Sequence, residues 1–145
     1  MTEGTSPVPS PAPSAIRLED YAPPPWLIDT VLLDVRLSPT ATRVVATTKL
    51  RPNPDATGTG EIVLDGERMD LLSVSLAGTQ LQEDQYELTE KSLILSGLAT
   101  SEHTLVVESE CNPEANTSLT GLFRSNQVYC TQCEAEGFRR ITYFL

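Results

Sequence analysis

Apolar residues in this chain recur at every second position in short runs, and each run is soon cut by a turn signal. Successive side chains of an extended strand point to opposite faces, so this period describes strands with one buried face. Val31, Leu33, Val35 and Leu37 alternate with Leu32, Asp34 and Arg36, which predicts a half-buried strand ended by Ser38-Pro39. Arg43 to Leu50, rich in Val and Thr, predicts a second strand paired antiparallel with it across a short turn. Glu61 to Leu64 is a short strand closed by Asp65-Gly66, a strong turn dipeptide, and Leu72 to Leu76 alternates until Ala77-Gly78. Tyr86 to Leu88 and Ser92 to Leu95 predict a hairpin around Glu90-Lys91, and His103 to Ser109 another strand with Leu105 and Val107 on one face. No stretch carries a helical period. The expectation is an all-β fold of about seven or eight short, mostly antiparallel strands, as a sandwich or a curved, saddle-like sheet.

The N-terminal stretch has no such period. Pro7, Pro9, Pro11 and Pro13 alternate with small residues over Met1 to Ala15, with nothing to bury. That composition predicts a disordered, partly polyproline-II tail over residues 1–15 and a single domain over 16–145. Pro23-Pro24-Pro25 forces an extended approach to the first strand, and Trp26 is expected to cover an edge of the core. No apolar run follows Met1, so neither a signal peptide nor a membrane-spanning helix is expected. With three cysteines, the expected setting is a reducing cytoplasm.

Charge narrows the function. Twenty acidic residues against ten basic ones give a net charge of −10. No basic stripe exists to neutralise phosphates, which argues against nucleic acid and against anionic membrane surfaces. The acidity serves solubility, and it also attracts cationic groups such as peptide amino termini.

Metal and nucleophilic chemistry find little support. Cys130-x-x-Cys133 would need about two more ligands for zinc, and only Cys111 and His103 remain, at the wrong spacing. A redox role for such a pair belongs to a βαβ context, which is missing here. The pair reads as thiols flanking a turn. One histidine cannot build the two-histidine motif of catalytic zinc, and His103 reads as a strand-start residue. No metal ligand or catalytic residue is assigned.

The last sixteen residues are unlike the rest. Cys130 to Glu136 gathers two cysteines, Gln132, Glu134 and Glu136, and the chain then runs apolar through Ile141-Thr142-Tyr143-Phe144-Leu145. That ending reads as an exposed strand interrupted by the end of the chain, lacking its packing partner. The run Thr131-Gln132-Cys133-Glu134-Ala135-Glu136-Gly137-Phe138-Arg139, with Asn116 to Leu122 upstream and Asp20 to Trp26 further back, resembles the end of the N-terminal domain of aminopeptidase N. The likeness is to the bacterial alanyl aminopeptidase type of that zinc metallopeptidase family.

The resemblance implies the saddle-like sheet, a catalytic zinc domain beyond this chain, and two substrate-binding residues. Glu134 would hold the ammonium group of a peptide's free amino terminus, and Gln132 would line the first subsite. An exopeptidase must measure from that group, and a carboxylate holds it through a charge-assisted hydrogen bond. Glu136 stands as a turn residue beside them. The chain alone, lacking the family's zinc ligands, is expected to be inactive and to bind no cofactor itself. Its partners would be a peptide amino terminus and the catalytic domain. The rival reading is a stand-alone, non-catalytic, acidic β-sandwich interaction module.

Overall fold

The computed structural model describes residues 17–58 and 60–145. The proline-spaced tail expected over residues 1–15 lies outside the described residues.

Among the described residues, ten strands form three antiparallel sheets. They are β1 (Trp26–Arg36), β2 (Thr42–Pro52), β3 (Glu61–Asp65), β4 (Asp70–Leu76), β5 (Thr79–Gln80), β6 (Glu87–Leu88), β7 (Ser92–Ser96), β8 (His103–Cys111), β9 (Gly121–Ser125) and β10 (Val128–Gln132). Eight have five residues or more, and β5 and β6 are two-residue additions. The large sheet runs β1-β2-β8-β4-β5, the middle one β3-β7-β6, and β9 pairs with β10 alone.

The large and middle sheets face each other across one core. Leu50, Val74, Leu105 and Val107 from the first meet Ile62, Leu64, Leu93 and Leu95 from the second. Trp26 is 2% exposed and belongs to this core. It is a central anchor, where the sequence predicted an edge cover. Its indole Nε1 donates to the Glu61 carbonyl at 2.7 Å, tying the start of β1 to β3. A second, smaller core joins Val44 and Cys111 of the large sheet to Leu122 of β9 and to Ile141.

Two expectations fail, in opposite directions. The β1 row Val31, Leu33 and Val35 stands opposite Thr48, Ala46 and Val44 of β2. Those β2 residues are buried, yet Leu33 is 37% and Val35 43% exposed, and Leu32 on the other face is 69% exposed. β1 is therefore an exposed edge strand with its apolar inner row uncovered. The period marked the strand correctly, but beyond Trp26 and Ile28 the middle sheet does not reach over it.

The chain's end behaves conversely. It forms no continuing strand. Gly137–Arg140 is a 3-10 turn, after which Ile141 to Leu145 folds back on the domain. Phe144 N–H donates to Asp65 O at 3.0 Å and Asp65 N–H to Phe144 O at 2.7 Å. Ile141 and Tyr143 are buried, one in each core. Tyr143 lies so close over Gly66 that a Cβ there would collide with its ring. These residues are the domain's own interior.

The β9–β10 hairpin was not legible in the sequence. Asn126 and Gln127 at its turn have φ of 48° and 71°, the paired left-handed conformations of the hairpin turn whose twist matches flanking strands.

Candidate functional site

The segment Gln132 to Arg140 is held from three sides. β10 ends at Gln132, opposite Gly121, the first residue of β9. Cys133 is half-buried against the second core, and Glu134 follows at the surface, joined to Ala135 by a cis peptide bond. Gly137 N–H then closes the turn on Cys133 O at 2.9 Å.

Two glycines make this closure possible. A Cβ on Gly137 would collide with the Gln132 carbonyl oxygen and press on Gly121 N at 3.1 Å. Gly121 has φ +80°, and a Cβ there would meet Arg140 Cβ at 2.7 Å. A side chain at either position would push the 3-10 turn away from the hairpin end and carry Glu134 with it.

Charge completes the clamp. Glu67, in the β3–β4 loop, accepts from Arg140 Nε at 2.8 Å and lies 3.7 Å from Arg139 Nε. Its own N–H donates to Arg139 O at 3.0 Å. Arg140 Nη1 also donates to Ser118 Oγ at 2.7 Å. The Arg140 hydrogen bond is the main cause that lowers the Glu67 pKa below the ordinary carboxylate value, partial burial opposing it. Phe138 packs edge-to-face on Phe144 at 5.0 Å, so the turn and the final residues move as one piece.

Against this frame the two acidic residues of the turn differ. Glu136 is ion-paired with Arg139, so it is a component of the clamp where the sequence suggested a free turn residue. Glu134 is exposed and pairs with no cation among the described residues. It borders a shallow groove of about 230 Å³ shared with Glu67, Thr120 and Gly137. Gln132, also exposed, lies two residues before it at the end of β10. The arrangement offers one uncommitted carboxylate, with a side-chain amide nearby, on a braced turn. It can hold a cation.

Other sequence candidates go elsewhere. Cys111, Cys130 and Cys133 are free thiols, and burial pushes the Cys111 thiol pKa up. His103 starts β8, with Nε2 2.8 Å from Ala99 O and its ring 5.5 Å from that of Trp26. No group of three or more His, Cys, Asp or Glu side chains that could hold a metal occurs among the described residues. No helix among them is long and apolar enough to cross a membrane. Sequence reasoning missed Glu67, Arg139 and Arg140 as parts of the site, since contacts spanning 73 positions leave no local signal.

No family model matches the chain. Individual proteins do. Aminopeptidase N of Caulobacter vibrioides is 41% identical over 133 residues, covering 91% of this chain. Aminopeptidase N of Escherichia coli is 35% identical over 92% of it. Among solved structures, aminopeptidase A of Legionella pneumophila, crystallised with aspartic acid, superposes with a TM-score of 0.79 at 32% identity over 88% of this chain. Native yeast LTA4 hydrolase, at 16% identity and a TM-score of 0.64, shares the fold. The chain spans about 15% of the length of the curated relatives. Identity along nine-tenths of the chain, together with the shared fold, makes it a member of the aminopeptidase N family, corresponding to the N-terminal region of those longer proteins.

Proposed function

We propose that this domain supplies the wall of a zinc aminopeptidase that receives the free amino terminus of a peptide, with Glu134 holding the ammonium group and Gln132 lining the first subsite. The observation that carries this reading is the division of labour at the turn: Arg139 occupies Glu136, while Glu134 has no cation partner among the described residues.

The chemistry follows from that geometry. An α-ammonium group has a free pKa near 8, so a neighbouring carboxylate keeps it protonated at neutral pH. One charge-assisted hydrogen bond fixes the substrate's first residue, and the braced turn fixes the carboxylate. Once the terminus is fixed, the next peptide bond lies at a constant distance, and positioning of this kind is a large source of rate. The Gln132 amide can donate to or accept from the first side chain or backbone, shaping that subsite.

The family's zinc is outside what these residues can hold, since no ligand set exists among those described. The domain's part is binding and orientation. The hydrolytic step belongs to the rest of a longer protein.

The test is kinetic, in a chain extended through the length of its relatives and assayed on an aminoacyl anilide. Glu134→Gln keeps the shape and removes the charge. A hydrogen bond to a charged group contributes about 1.5–3 kcal/mol, so kcat/KM should fall roughly ten- to hundredfold. Glu136→Gln breaks a largely exposed ion pair and should cost less than about threefold. Unchanged activity in Glu134→Gln would refute the assignment, and a large loss from Glu136→Gln alone would transfer it to the other carboxylate.

A second reading has one observation in its favour. The uncovered row of Val31, Leu33 and Val35 is a surface that a partner can use, which suits a non-catalytic interaction module. Full activity of an extended chain in which Glu134 and Gln132 are both replaced would favour it.

A further inference from the structure

A cavity of about 160 Å³ is lined by Arg68, Arg140, Cys111, Asn112, Asn116 and Leu122, with no carboxylate. In a chain of net charge −10 this is unusual. The grooves around it are rimmed by Asp65, Glu67, Glu134 or Glu136.

Each wall has a distinct role. Arg140 is fixed in place by Glu67 and Ser118, with Nη2 free of those bonds. Asn112 Oδ1 accepts from Ala115 N–H at 3.0 Å, which orients the side chain and leaves its NH₂ as a donor. Asn116 is fully committed: its Nδ2 donates to Thr120 O and Leu122 O, and its Oδ1 accepts from Ser118. It is therefore wall, not ligand. Cys111 stays a neutral thiol and adds no repelling charge.

Arg68 is the remaining group. It is exposed and forms no ion pair among the described residues. Its φ of 58° lies in the left-handed region, which glycine adopts with less strain. An arginine in that position places an unpaired guanidinium at the cavity. Glu67 offsets the Arg140 charge at 2.8 Å, so Arg68 supplies the net positive charge at the cavity, and screening over about 8 Å at physiological ionic strength limits the reach of more distant carboxylates.

We propose that this cavity is a binding site for a phosphate-sized oxyanion. Arg68, Arg140 and Asn112 would donate to it from three separate elements, the β3–β4 loop, the 3-10 turn and the segment after β8. Donors spread over three elements suit a tetrahedral anion with several acceptors better than a planar carboxylate. The site is independent of the role assigned to Glu134.

The test is a titration of the full 145-residue chain with inorganic phosphate, followed by amide and side-chain NMR shifts at constant ionic strength set with chloride. Phosphate should produce saturable shifts at Arg68, Arg140 and the Asn112 side-chain amide. Arg68→Gly suits the local backbone and removes the guanidinium, and should weaken binding roughly tenfold or more. Asn112→Asp keeps the acceptor for Ala115 N–H and puts a negative charge in the cavity, and should abolish binding. Arg51→Gln, near the end of β2 and outside the cavity lining, should leave it unchanged. Equal shifts from chloride alone, saturation by acetate but not phosphate, or undiminished binding in both cavity variants would overturn the proposal.

Discussion

β1 and the last five residues have similar compositions and opposite fates. Both are rich in β-branched and aromatic or aliphatic side chains. On β1, Leu33 lies 37% exposed although its cross-strand neighbour Ala46 is buried. At the other end, Tyr143 is 5% exposed and belongs to the main core. Alternation shows that a segment is a strand, but the layer above decides whether its apolar face is buried. The middle sheet covers β2, β8, β4 and the start of β1 at Trp26, and stops short of Val31 to Val35. The final residues read as a strand in sequence, yet they fold back and fill the seam between the two cores, because Gly66 leaves room for the Tyr143 ring.

The contrast is tested most severely at Tyr143. Truncating a large buried aromatic side chain typically costs about 3–5 kcal/mol, and Tyr143→Ala should lower stability by that amount in urea unfolding. Leu33→Ala on β1 should cost less than about 1 kcal/mol, since much of that side chain already meets water. Equal costs would break the comparison.

Gly137→Ala comes next. Overpacking of this kind typically costs about 1–3 kcal/mol, and the methyl group would press on the Gln132 carbonyl. The same variant should lose amide-exchange protection at Gly137, whose N–H closes the turn on Cys133. Retained protection would show that the turn has room to spare.

The Glu67 clamp gives a smaller, pH-dependent effect. Its carboxyl pKa is lowered from an ordinary 4.5 in the folded chain. A lowered folded-state pKa contributes stability that is present above the unfolded value and is lost as pH falls through the folded one. The stability gap between the parent and Glu67→Gln should therefore be largest near neutral pH and shrink steadily below 4.5. A gap independent of pH would mean that the ion pairs with Arg139 and Arg140 contribute nothing.

Smallest of all is Leu32→Ser on the outer face of β1, where the side chain is 69% exposed. Surface substitutions of this kind fall within about 0.5 kcal/mol. Sedimentation should also show no loss of monomer, and any self-association of the parent should weaken, because a polar residue blunts an apolar edge.

Much of the fold was legible before any coordinates. Asp65-Gly66 and Ala77-Gly78 end strands where the sequence places them, and the β6–β7 hairpin forms around Glu90-Lys91. What stayed hidden has physical causes. The β9–β10 turn uses Asn126-Gln127 without the glycine that normally marks it, and its strands are too short to show a period. The burial of Ile141 and Tyr143 depends on surfaces contributed by distant strands. At the candidate site Gln132 and Glu134 were proposed through the resemblance alone, and their role awaits the kinetic test. The resemblance also set Glu136 apart as a turn residue, but its ion pair with Arg139 was not legible, because it depends on Arg139 turning back within a 3-10 turn.

The central claim is the proposal that Glu134 holds the substrate's charged amino group. The most direct test pairs Glu134→Gln with removal of that group from the ligand. In the extended enzyme, the inhibition constants of an amino-acid-derived inhibitor and its des-amino counterpart would be compared for parent and variant. The account predicts roughly ten- to hundredfold weakening for the amino form and no change for the des-amino form. Equal weakening of both would show that Glu134 shapes the site without binding the ammonium group, and would contradict the claim.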